Sequence, residues 1–431
     1  MRVLFANFPL QSHLLFMVPT AWALRSAGHT VHVAGHPESA PHAAAAGLPF
    51  VPVGEPYRGW ELMRRKEASG TAGRDRFVIK REYIEGEHTR ELLLKLVEGQ
   101  VKSADVIHGP TITDLTAFCR SWRPDLVLWD PMFPAAPIAA EAAGAAHARF
   151  LPGQDYYGWL RNRFLDVHRA DGARNLGTSD VPEEDDDPLG HWLGTWASRY
   201  GVPFSETLSL GHFTVDLLPD WARLQGGPDP LRMRYVPYSG RAVLPRRFRE
   251  RPRGPRVCLV LSTTSARQPL FPSATPEELQ EILNVLADLP VEVVVAGAGP
   301  WRGSVDAPDN AVLVDFVPLH ELLPTCSAVI HTGGFNVFGN ALHEGVPQLP
   351  LRPWMHFDSL LRAELLAGQG AGIVSAPESP AASVRRGLIR LLDEPGFQEE
   401  ARRLSEETRT RPLPAEMVPV FEELALRHRA T

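Results

Sequence analysis

Residues 331–351 read HTGGFNVFGNALHEGVPQLPL, a histidine and paired glycines set between two regular patterns. Upstream, AVIH (328–331) is a short apolar run that reads as a buried strand. Downstream, Phe338, Ala341 and Leu342 recur at i, i+3 and i+4, one face of an amphipathic helix. Gly333 and Gly334 therefore fall in a strand-to-helix turn. The first N–H groups of a helix lack intrahelical partners and carry the positive end of its dipole, so such a turn suits an anion. Glycine lets a ligand approach the backbone with no Cβ in the way, and His331 adds a donor beside it. A phosphate or diphosphate fits. A glycine-rich turn with a core histidine fits the same letters equally well.

The strand-then-helix rhythm extends outward in both directions. In the second half, VCLVL (257–261), VEVVVAG (291–297), AVLVDFV (311–317), PQLPL (347–351) and AGIV (371–374) read as strands, with a helix from Thr275 to Leu286. In the first half, VLFA (3–6), TVHVA (30–34), PDLVLWD (124–130) and AHARFL (146–151) do the same, with helices over 18–26 and 135–144. Continuous aliphatic runs separated by helices mean parallel strands covered on both faces. The fold class is α/β, and it occurs twice: two Rossmann-like halves whose strand ends face a central cleft. Between them RAVLPRRFRERPRGPR (241–256) has neither hydrophobic period and reads as a solvated linker. The acidic PEEDDDP (182–188) lacks the glycine turn and spacing of a calcium loop and reads as solvated surface.

Bulk properties narrow the functions. A chain of 431 residues has room for two cores, and 44% apolar with 22% charged residues is ordinary soluble composition. A net charge of −7 leaves no basic excess for nucleic acid or an anionic membrane surface. Cys119, Cys258 and Cys326 give neither a disulfide framework nor a zinc spacing, which suits a cytoplasmic protein. No run of 18 apolar residues is present, and polar Asn7, Gln11, Ser12 and His13 interrupt the N-terminus before it reaches signal-peptide length. Of rival phosphate motifs, the P-loop is absent. VVVAGAGPWRG (293–303) places Arg302 where a dinucleotide fingerprint needs its third glycine, and reads as a loop.

The stretch 331–351, with FDSLLRAELLAGQGAGI (357–373) after it, resembles the nucleotide-sugar signature of family 1 glycosyltransferases of the GT-B fold. VPTAWALRSAGHTVHVAGHPE (18–38), WRPDLVLWDP (122–131) and GAAHARFL (144–151) look like actinobacterial enzymes that place deoxysugars on macrolide and other polyketide antibiotics. The likeness covers nearly the whole chain and is weakest over 57–114. It implies a first, acceptor-binding domain over 1–235, a linker over 236–256 and a donor-binding domain over 257–415. A helix over 416–431 would pack back toward the first domain. It further implies inverting transfer of a thymidine-diphosphate (TDP) deoxysugar without a metal or other cofactor. His331, Gly333 and the amides of Gly334, Phe335, Asn336 and Val337 would hold the diphosphate. Ser262 and Thr263 in LSTTS (261–265), with Phe316 and Val317 in DFVP (315–318), would lie at the nucleotide, and Asp358 and Ser359 at the sugar. Several residues depart from the family pattern. Phe335–Asn336–Val337 lacks the usual hydroxyl, for which the Asn336 amide is a substitute, and Ser359 stands where relatives often carry glutamine. Gly339 stands where plant relatives use a glutamate for the ribose; thymidine has no 2′-hydroxyl to miss it.

Transfer to a hydroxyl needs a base at the nucleophile. His13 follows the first strand in QSHLLFMVP (11–19), where a loop histidine reaches the carboxyl-end cleft, and Asp130 ends another strand. The resemblance makes His13 the catalytic base and Asp130 the aspartate that orients it. A surface histidine and a turn-initiating aspartate are the plainer readings. The ring-rich FLPGQDYYGWLRNRF (150–164) is the candidate wall for a hydrophobic aglycone, with packing inside the domain as its alternative. Some relatives need a cytochrome-like helper protein, for which the insertion at 57–114 leaves room on the first domain, and a homodimer is left open. Transfer to carbon on an aromatic polyketide, a nucleotide-sugar epimerase of the same fold and a non-catalytic sensor are the competing functions.

Overall fold

The computed structural model describes residues 1–57, 84–170, 181–250, 252–260, 275–351, 353, 358–376 and 380–429. Ser262 and Thr263, and residues 58–83 of the expected insertion, lie outside the described residues. The chain forms two compact units. One takes Met1–Gly59, Glu85–Arg234 and Pro412–Thr431, and the other is built from Tyr235–Arg411.

In the first unit, seven parallel strands lie in the order β3-β2-β1-β4-β5-β6-β7. They are β1 Arg2–Ala6, β2 Thr30–Gly35, β3 Phe50–Pro52, β4 Leu126–Trp129, β5 Ala146–Phe150, β6 Phe213–Asp216 and β7 Leu231–Arg232. Helix α1 (Gln11–Leu15) follows β1 and α2 (Val18–Ser26) comes next. Thus His13, expected on a loop, sits in a short helix. Helix α3 (Arg90–Trp122) leads into β4, α4 (Ala135–Glu141) connects β4 to β5, and α5 (Tyr156–Ala170) follows β5. All four residues of β4 and all five of β5 are buried, as covered parallel strands require.

The second unit has the parallel order β10-β9-β8-β11-β12. Its strands are β8 Arg256–Val260, β9 Glu292–Ala296, β10 Ala311–Val314, β11 Ala328–His331 and β12 Gln348–Pro350. Alternation puts Val257 and Leu259 in one apolar cluster and Cys258 and Val260 in the other, so the sheet is covered on both faces. Helix α6 (Pro276–Leu286) covers one face with Leu279, Ile282, Leu283 and Leu286, and a Thr275–Glu278 capping box starts it. Helix α7 (Phe335–Glu344) follows β11, and Gly345 ends it in the left-handed region at φ +68°. Helix α8 (Ser359–Gly368) follows β12. The segment 371–374, expected as a strand, makes only one bridge, Gly372 to Gln348. The 297–303 stretch forms a single 3₁₀ turn, Gly299–Trp301, as a loop reading requires.

The Arg/Pro stretch 241–256 belongs to the second unit, where Phe248 is buried. The C-terminal helix α9 (Val418–His428) belongs to the first, where fully buried Phe421 stacks on Phe213 at 6.5 Å. In each sheet the chain winds outward one way from its first strand and then the other way. The switch points fall between β1 and β4 and between β8 and β11, and open α/β sheets bind ligands at such points.

Candidate functional site

The first switch point brings His13 and Asp130 together from 117 residues apart. Asp130 lies one residue beyond β4, and its N–H donates to the Ala6 carbonyl at the end of β1, at 2.9 Å. Its carboxylate is fully buried. One oxygen accepts from the Met132 N–H at 2.9 Å and the other meets His13 Nδ1 at 2.5 Å. A carboxylate only accepts, so Nδ1 is the donor, and in the neutral ring Nε2 keeps a lone pair. The His13 side chain is 16% exposed, flanked by Phe8 and Phe16 with ring centres 6.0 Å away. A largely shielded imidazole backed by a buried carboxylate has the arrangement of a general base oriented by its partner.

The aromatic stretch 150–164 is mostly core. Phe150, Tyr156, Trp159 and Phe164 are buried, so the packing alternative holds for them. Tyr157 is the partly exposed ring, and burial, then the Asp130 charge, push its phenol above the usual range. In the acidic loop, Glu183 to Asp186 are exposed, but Asp187 is fully buried. It caps the Pro188–Ser198 helix and accepts both ends of the Arg161 fork at 2.6 and 2.7 Å, a structural pairing no spacing rule indicated.

Among the described residues one group, Glu141, His147 and His212, has ligand atoms close enough to hold a metal. Its hydrogen bonds assign the protons otherwise. The Trp129 indole N–H donates to His147 Nδ1 at 3.2 Å, and the His147 backbone N–H donates to His212 Nδ1 at 3.1 Å. Both neutral rings therefore carry their proton on Nε2, and both Nε2 atoms face Glu141 Oε1, at 3.1 and 3.6 Å. The group is a carboxylate hydrogen-bonded by the His147 ring N–H and faced by that of His212, the opposite of the lone pairs a metal requires.

At the second switch point, β11 ends on His331 and the chain turns at Gly333, φ +94°. Gly334 is the N-cap of α7, contributes no side-chain cap, and has open space where a Cβ would stand. The turn is braced from below. His331, 1% exposed, accepts the Gly333 N–H on Nδ1 at 3.0 Å and meets Gln348 Oε1 through Nε2 at 3.0 Å. Where a donor beside a phosphate was expected, Nδ1 as placed serves the turn and Nε2 meets Gln348 of β12. Ser359, expected at the sugar, is buried and its hydroxyl donates to the Gly333 carbonyl at 2.6 Å. The Asn336 side-chain oxygen meets the Tyr235 hydroxyl at 3.3 Å, so this side chain is tied to the core.

Asp358 is buried at the start of α8 and pairs with Arg362 one turn later. Val337 packs at its partly buried position against the apolar cluster behind α7. Phe316 is 46% exposed whereas Val317 is buried, so the former offers a ring face at the end of β10. A Cβ on Gly339 would stand 3.0 Å from the Tyr235 ring, leaving no room there for an acidic side chain. Sequence reading missed Arg362, Tyr235 and Gln348; the i, i+4 spacing from Asp358 to Arg362 was the one local signal.

Residues 22–262 match the family described as Erythromycin biosynthesis protein CIII-like, N-terminal domain, and residues 280–424 match its C-terminal domain. Aclacinomycin-T 2-deoxy-L-fucose transferase of Streptomyces galilaeus is 38% identical over 100% of this chain and 97% of its own length. Erythronolide mycarosyltransferase of Saccharopolyspora erythraea is 38% identical over 99% of this chain and 100% of its own. Among solved structures, the glycosyltransferase VinC in complex with dTDP is similar with a TM-score of 0.84 at 36% identity, covering 99% of this chain and 100% of that one.

Proposed function

The chain belongs to the Erythromycin biosynthesis protein CIII-like family and is a glycosyltransferase of the GT-B fold, and from that premise we propose that it moves a deoxysugar from a TDP donor to a hydroxyl of a polyketide aglycone with inversion. The observation that carries the reading is the His13–Asp130 pair at 2.5 Å, with the imidazole partly exposed at a switch point. His13 Nε2 takes the proton from the acceptor hydroxyl as its oxygen attacks the anomeric carbon from the face opposite the leaving group. Asp130 stabilises the imidazolium that forms. The bond from the anomeric carbon to the diphosphate oxygen breaks, and TDP leaves with the electron pair.

The amides of Gly334, Phe335, Asn336 and Val337 stabilise the departing diphosphate from the head of α7, where preorganised N–H groups need no rearrangement. His331 and Gly333 act there by shaping the turn. The dTDP held by VinC supports the thymidine donor. So does Gly339, which has no side chain to bond a ribose 2′-hydroxyl and stands against Tyr235. Phe316 and Val317, with Ser262 and Thr263, attend the nucleotide, and Asp358 attends the sugar. Relatives named for 2-deoxy-L-fucose and mycarosyl transfer support the deoxysugar class. Among the described residues no helix is long and apolar enough to cross a membrane, and we place the reaction in the cytoplasm.

The test is release of TDP from a TDP-deoxysugar by the purified chain, with and without a macrolide or anthracycline aglycone. Acceptor-dependent release with inverted anomeric configuration is the expected result; release without an acceptor, or no release with either, defeats the reading. The linkage atom in the product separates transfer to oxygen from transfer to carbon. Turnover by this chain alone defeats a helper-protein requirement. Because amides hold the leaving group, chelation of divalent metal with EDTA should leave the rate within about twofold, and its loss would overturn the metal-free mechanism.

A further inference from the structure

Beneath the Gly333 turn lies a buried cation with no assigned role. Arg362 is 3% exposed. Its Nη2 donates to the Gly333 carbonyl at 2.7 Å, the same oxygen that accepts from Ser359. The guanidinium lies over the rings of Phe335 and Phe338, 5.7 and 5.4 Å from their centres, and pairs with Asp358. Among the described residues its buried Nε has no hydrogen-bond partner. A guanidinium so enclosed, with a donor left over, is expensive to keep for packing alone.

The peptide plane supplies a reason. A trans peptide points its C=O and the following N–H to opposite sides. Holding the Gly333 oxygen toward Arg362 and Ser359 therefore aims the Gly334 N–H away from them. At φ +94° glycine has wide rotational freedom, so an unanchored plane can turn over and offer an anion a carbonyl oxygen instead of an amide.

We propose that Arg362 is a positioning residue for the donor diphosphate, fixing the Gly333–Gly334 peptide with its amide, not its carbonyl, toward the anion. The proposal rests on the donor site described under Proposed function. Its test compares binding of thymidine diphosphate and of thymidine by calorimetry and NMR titration in wild type, Arg362→Met, Arg362→Lys and Ser359→Ala. Arg362→Met should weaken thymidine diphosphate about tenfold or more while thymidine stays within about twofold. Arg362→Lys, which can still donate to the Gly333 oxygen, should recover part of the loss. In turnover, donor KM should rise while acceptor KM holds.

Unchanged thymidine diphosphate affinity in folded Arg362→Met overturns the proposal, and so does an equal loss of thymidine, which a general structural defect produces. Should Arg362→Met not fold, Ser359→Ala combined with Arg362→Lys decides. Two anchors on one carbonyl predict a loss larger than the single effects combined, and simple additivity overturns it. Wild-type protein that binds no thymidine diphosphate ends the donor-site reading and this proposal with it, a result distinct from any difference among variants.

Discussion

Asp130 has no exposed surface, and among the described residues its carboxylate is met by the Met132 N–H and His13. A carboxylate in that position does two things for the ring: it keeps the proton on Nδ1 and it stabilises the cation formed when Nε2 accepts a second one. His13→Ala removes the proposed base and should lower kcat for transfer by about 10²–10⁴-fold while thymidine diphosphate binding is unchanged. Asp130→Asn keeps the shape but loses the charge, and should fall in the same range. Transfer rates in His13→Ala near those of wild type would remove the imidazole from the chemistry. That the two meet was foreshadowed in part: Asp130 directly follows an apolar strand, a local signal, whereas the pairing with His13, seven residues beyond β1 in a short helix, came from the resemblance. The partners of Ser359 and His331 were not legible, for the opposite reason. Ser359 reaches a carbonyl 26 residues back and His331 a glutamine 17 residues on, and no periodicity reports such partners.

At the scale of elements, the paired glycines at the head of α7 differ in a way their letters do not show. Gly333 is at φ +94° and a Cβ there would stand 2.7 Å from Ser359, whereas Gly334 is at φ −62° and meets nothing within 4 Å. Gly333→Ala should therefore destabilise the second unit by about 1–3 kcal/mol, seen as a lower melting temperature. Gly334→Ala should leave melting within about 4 °C, since helix N-caps tolerate such a change to a few tenths of a kcal/mol up to about one. Its methyl group would instead stand where a ligand approaches, and thymidine diphosphate affinity should drop about tenfold. Equal melting temperatures for the two variants would refute the difference between the glycines. Long aliphatic strands such as β8 and β9 were legible because covered parallel strands write continuous apolar runs. The edge strands β3 and β7, and β6 beside β7, were not: β7 has two residues, and in β6 Thr214 and Asp216 face arginine partners. The apolar 371–374 misled because its run has only Gln348 to pair with.

Over the whole molecule, the chain closes its first unit with its last helix, and the Glu141–His147–His212 clasp lies where that closure is made. His428 of α9 stacks on His212 at 4.8 Å, and Arg429 pairs with Asp125. Burial, then the neighbouring His147, hold His212 down at about 4, and burial with Arg427 lowers His428 as well. Burial alone would raise Glu141, but the His147 hydrogen bond and the charges of both histidines bring it below its usual value. An unfolded histidine takes its proton near pH 6.5, so between 6.5 and 4 the unfolded chain binds more protons than the folded one. The contribution of His212 is thus complete above pH 6.5 and lost as pH falls toward 4, roughly 3 kcal/mol across the window at most. Glu141 adds to the same trend below its ordinary value, losing its share as pH falls through its depressed folded pKa. Protonating His212 on Nδ1 would also set two donors against each other, since that nitrogen accepts the His147 backbone N–H. Melting temperature should therefore drop between pH 7 and pH 5, and His212→Gln, which cannot titrate, should flatten that slope even if it lowers stability at pH 7. An identical slope in the variant would show that acid sensitivity arises elsewhere in the protein.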